Sequence, residues 1–82
     1  MTIEEVIAEI EAGNSGMMSG GVASDVAAIE KALRSKGWVD VEAYSECGKA
    51  TREFNLQKEG KKVNVLSAVF IGNFVDWNVR SV

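Results

Sequence analysis

Histidine and proline are absent from this 82-residue chain, and cysteine occurs once, at Cys47. Without histidine there is no ordinary base to activate a serine or cysteine nucleophile and no imidazole for a zinc site. One cysteine cannot close an intramolecular disulfide, so the usual staple of small secreted domains is missing and a reducing, cytoplasmic setting is expected. Without proline, turns fall to Gly, Asn and Ser. No apolar run approaches membrane length, and Glu4 and Glu5 stand where a secretory leader would be basic. Nine Lys and Arg against 12 Asp and Glu leave a net charge of −3. Direct nucleic-acid binding wants clustered cations, so a protein partner with a basic surface is the better expectation. No D-x-D-x-D-G pattern occurs, and no cofactor or metal is expected. Cys47, in a turn with Lys49 nearby, reads as a bland surface cysteine.

What remains is the composition of an ordinary globule, 46% hydrophobic and 26% charged, of a size for one domain spanning residues 1–82. The last third, residues 61–82, reads KKVNVLSAVFIGNFVDWNVRSV: two β-prone runs joined by Gly72-Asn73, a type II′ hairpin signal. A two-residue turn there pairs Ile71 with Phe74 and Ala68 with Trp77. It puts Leu66, Ala68, Phe70, Val75, Trp77 and Val79 on an inner face. Val63, Val65, Val69, Ile71 and Phe74 then share the outer face with Asp76, Asn78 and Arg80.

Upstream, Thr2-Ile3-Glu4-Glu5 forms a capping box. Ile3, Val6, Ile7 and Ile10 follow at helical spacing, and Gly13 ends a helix over about 3–12. Residues 13–21, GNSGMMSGG, read as a flexible loop whose anchors and possible contacts are Met17 and Met18. A second helix spans about 23–36, capped by Ser24 or Asp25, with Val26, Ile29 and Leu33 inward and Gly37-Trp38 closing it. Strands are expected at about 38–46, 51–57, 61–71 and 74–82. Val41 would face Leu56 and Ala43 would face Phe54 inside, with Asp40, Glu42, Tyr44, Glu46 and Glu53 outside. A three-residue loop, Lys58-Glu59-Gly60, would align Phe54 and Leu56 with Leu66.

The expected architecture is α+β: two N-terminal helices on one face of a four-stranded antiparallel meander. The helix-free face carries the functional expectation. Its acidic half (Asp40, Glu42, Tyr44, Glu46, Glu53) and apolar half (Val65, Val69, Ile71, Phe74, with Asp76 and Arg80) suit a protein interface. The class expected is a non-enzymatic binding module, an inhibitor or adaptor that occludes a larger protein. Phage or mobile-element proteins that block nucleic-acid-binding or host-defence complexes are of this kind. Two alternatives stay open: a homo-oligomer built through the apolar half, and an anion or nucleotide binder using the glycine-rich loop at a helix N-terminus. The loop matches neither G-x-x-x-x-G-K-[ST] nor G-x-G-x-x-G.

Overall fold

A computed structural model describes residues 1–42 and 50–81 of the chain. The elements run α1 (Ile3–Glu11), β1 (Gly16–Ser19), α2 (Ala23–Ser35), β2 (Val39–Asp40), β3 (Arg52–Lys58), β4 (Lys61–Val69) and β5 (Asn73–Ser81). The fold is α+β, with two helices on one face of an antiparallel sheet, as the patterning implies. The sheet has five strands rather than four, in the order β1-β5-β4-β3-β2.

Helix α1 forms where its end signals place it, and α2 ends where its Gly-Trp signal places its close. The Thr2 hydroxyl accepts from the Glu5 N–H at 3.2 Å, and the Thr2 N–H donates to Glu5 Oε1 at 2.8 Å. At the other end, Asn14 N–H donates to Glu9 O and Gly13 N–H to Ile10 O, the paired bonds of a Schellman cap. The same motif closes α2, with Trp38 N–H on Leu33 O and Gly37 N–H on Arg34 O. The start of α2 differs from expectation. Its N-cap is Val22, which has no side-chain acceptor, so Ser24 and Asp25 fall inside the helix. Asp25 instead takes the second half of a capping box, its carboxylate accepting from the Val22 N–H at 2.8 Å.

Residues 13–21 contain a strand where a loop was expected. Gly16–Ser19 pair antiparallel with β5, Gly16 opposite Trp77 and Ser19 opposite Phe74. Glycine here is a fit to a neighbour as much as a source of freedom: a Cβ on Gly16 would lie 2.6 Å from the Trp77 ring. The ring is fixed by a bond of 3.1 Å from Trp77 Nε1 to Asn14 O, and Ser15 Oγ accepts the Val79 N–H at 2.8 Å. The segment is thus stitched to β5 over its length.

Strand β4 is turned over relative to expectation, because both of its loops differ in length. The β3–β4 turn has two residues, Glu59-Gly60, with Lys58 opposite Lys61. Their φ values of 48° and 79° are those of a type I′ turn, whose twist matches the flanking strands. The β4–β5 loop has three residues, 70–72, with Val69 opposite Asn73. Each change reverses the parity of β4. Val63 and Val65 therefore join Phe54, Leu56, Val75 and Trp77 inside the core beneath both helices. Leu66 and Ala68 are buried but point to the other face, and Phe70 leaves the strand for the loop at 74% exposure.

The core cluster comprises Val6, Ile7 and Ile10 of α1, Val26, Ile29 and Leu33 of α2, and Trp38, with the inward sheet residues. Ile3, Met18 and Val79 pack at its margin. At the other edge Asp40 lies opposite Leu56, one residue away from the expected pairing of Val41 with Leu56, and Val41 is only half-buried. The expected partner of Phe54, Ala43, is outside the described residues.

Candidate functional site

The register decides what the helix-free face presents. Reading across β3, β4, β5 and β1, its rows are Gln57–Lys62–Arg80, then Asn55–Asn64–Asn78, then Glu53–Leu66–Asp76–Met17, and last Ala68–Phe74–Ser19. The centre is polar and internally bonded. Asn64, only 3% exposed, donates from Nδ2 to Glu53 Oε2 at 2.9 Å and to Asn55 Oδ1 at 3.1 Å. Asn78 Nδ2 donates to Asp76 Oδ2 at 3.0 Å. A buried amide with both donors satisfied fixes geometry and leaves little to offer a ligand.

The sequence-derived site residues are therefore dispersed. Val65 is fully buried in the core and cannot touch a partner. Asp40 lies on the helix side of the edge, its carboxylate 2.6 Å from Arg34 Nη2, which also meets Glu30 at 3.0 Å. The guanidinium holds the Asp40 carboxyl below the usual carboxylate range. Glu53 is engaged by Asn64, while Glu42 is exposed. Asp76 and Arg80 lie on the outer face of β5, with Phe74 half-buried beside them. Met18 turns inward to the core margin, and Met17, next in the alternation, is 59% exposed. Tyr44, Glu46 and Cys47 lie outside the described residues.

What the structure does bring together is an apolar end. Val69, Phe70 and Ile71, at the tip of the β4–β5 hairpin, are 65%, 74% and 94% exposed. Beside them, Met17 and Ser19 of β1 and residues 70–74 line an open pocket of about 260 Å³. Phe70 and the Met17–Phe70 neighbourhood escape sequence reasoning, because both depend on the unforeseen β1 and on the lengthened loop. A larger hollow of about 550 Å³ lies among Gly37, Val39 and the β3–β4 turn. Lys58, which lines it, is 3.5 Å from Glu11, and Lys61 donates to the Glu11 carbonyl at 2.8 Å, a cation at the negative end of α1. Lys58 and Lys61 thus serve the helix.

The anion reading meets a physical obstacle. A carboxylate of the chain itself, Asp25, already accepts the Val22 N–H at the start of α2, where an anion would sit. Among the described residues no group of three or more metal-ligating side chains converges, and no helix is long and apolar enough to cross a membrane. Comparison with protein-family models, with curated proteins and with solved structures gives no match.

Proposed function

We propose that the chain is a small non-enzymatic protein-binding module, an inhibitor or adaptor that covers part of a larger protein, with the β4–β5 hairpin tip as its anchor. The observation that carries this reading is the exposure of three consecutive apolar side chains, Val69, Phe70 and Ile71, with Met17 alongside. Small chains seldom leave such a cluster in water unless another surface covers it. Binding energy concentrates in a few large apolar side chains inside a polar rim, and the hairpin tip with Asp76 opposite Met17 has that composition. The partner would offer an apolar cleft flanked by basic groups, and a protein surface that otherwise engages nucleic acid is one target of that chemistry.

The test is affinity measurement with paired variants. Phe70→Ser and Ile71→Asp alter exposed positions outside the core. Each is expected to weaken capture of the partner by about 30-fold or more, the scale of an interface hot spot. Lys31→Ala, on the exposed side of α2, is expected to change nothing. Equal capture by all three variants would remove the tip from the interface.

A further inference from the structure

Among the described residues no strand lies beyond β1 or beyond β2, so both are open edges. They are not equivalent. β2 has two residues, one of them the ion-paired Asp40, and a short charged edge resists pairing. β1, Gly-Met-Met-Ser, has no charge and no proline. Its hydrogen-bonding phase is set by the bond of 2.8 Å from Gly20 N–H to Asn73 O, with Met18 opposite Val75 and Gly16 opposite Trp77. By antiparallel alternation, Gly16, Met18 and Gly20 turn their backbone groups toward β5, and Met17 and Ser19 turn theirs outward.

We propose that this edge pairs antiparallel with β1 of a second copy of the chain, about a two-fold axis through Met18. Met17 of each copy then lies opposite Ser19 of the other. The two N–H and two C=O groups that each chain turns outward are all satisfied, as an isologous contact requires. Gly16 falls opposite Gly20, so the strands approach closely at both ends of the contact. Chains carrying a net charge of −3 repel one another, and the paired strand itself, Gly16–Ser19, carries no charge. Met17 and Ser19 share the outer face, so Met17 of one copy lands beside Ser19 of the other. That position is the mouth of the pocket that Phe70 and Phe74 line. The two five-stranded sheets become continuous, with the hairpin tips pointing in opposite directions and free. The pairing uses the strand edge and shares Met17, but not Val69, Phe70 or Ile71, with the partner-binding tip.

Sedimentation equilibrium of the full chain, from micromolar to near-millimolar concentration, tests it. The expected result is a mass rising to two chains for the wild type and for Ile71→Asp. Met17→Lys and Ser19→Pro are expected to stay at one chain with unchanged near-ultraviolet circular dichroism; the proline removes an outward N–H that β5 does not use. A wild type that stays monomeric, or a dimer that persists in both folded edge variants, would overturn the proposal. Amide exchange of the wild type gives a readout that needs no variant. Exchange at Met17 and Ser19 is expected to slow as concentration rises, and concentration-independent exchange there would overturn the pairing.

Discussion

The two tryptophans are equally buried, each 2% exposed, yet their indoles are not equally placed. Trp77 Nε1 donates to Asn14 O, whereas Trp38 Nε1 is buried with no partner among the described residues. Replacing either with phenylalanine removes similar apolar surface, but only one change breaks a hydrogen bond. Trp77→Phe is therefore expected to cost about 1 kcal/mol more than Trp38→Phe in urea unfolding; equal costs would contradict the assignment. Gly16 is tied to the same ring. A methyl there would collide with an indole that its own hydrogen bond holds in place, so Gly16→Ala is expected to destabilise by about 1–3 kcal/mol. Glu5 supplies a pH signature. The Thr2 backbone N–H and hydroxyl hold its carboxyl below the usual carboxylate range. A depressed folded-state pKa adds stability that is full above the unfolded-state value and is lost as pH falls through the folded one. Glu5→Gln is expected to flatten the loss of stability on acidification below that range, measured by thermal unfolding at successive pH values. An unchanged slope would remove Glu5 from the acid transition.

At the scale of elements, legibility follows how one-sided each segment is. The helices were plain, because α1 has a single apolar stripe between a capping box and a Gly-closed end. The inward residues of β3 and β5 were also plain, Phe54, Leu56, Val75 and Trp77 alternating with polar neighbours. β4 was not: KKVNVLSAV is apolar on both faces, and Val63 through Ala68 are all buried, so its own pattern could not choose a register. Loop length had to choose, and Glu59 misled, since a non-glycine residue at positive φ is an uncommon start to a type I′ turn. Asparagine is favoured at that position. Glu59→Asn is expected to stabilise the chain by about 0.5–1 kcal/mol with no change in register. A loss of stability would place the turn in a different type. β1 was hidden for another reason: its glycine-rich composition reads as mobile, while its order comes from long-range contact with Trp77 and Val79.

The whole molecule is polarised along its strands. At one end, Lys58 and Lys61 close the C-terminal end of α1 and frame the β3–β4 turn. At the other, the β4–β5 tip presents Val69, Phe70 and Ile71 beside Met17. The expectation of an apolar sheet face gives way to an apolar end, because the turned-over β4 withdraws Val63 and Val65 into the core and sets Asn64 on that face between Asn55 of β3 and Asn78 of β5. Of the residues named from sequence for partner contact, Val69, Ile71, Phe74 and Met17 collect at that end. Asp40 and Glu53 are engaged within the chain. The measurement that bears most directly on this account is site-specific photocrosslinking from position 71, the most exposed apolar side chain of the tip. With the chain expressed in its native cell, the account predicts one discrete covalent adduct with another polypeptide, abolished by a second change, Phe70→Ser. No adduct, or the same products from a photoprobe at position 31 on the far side of α2, would contradict it.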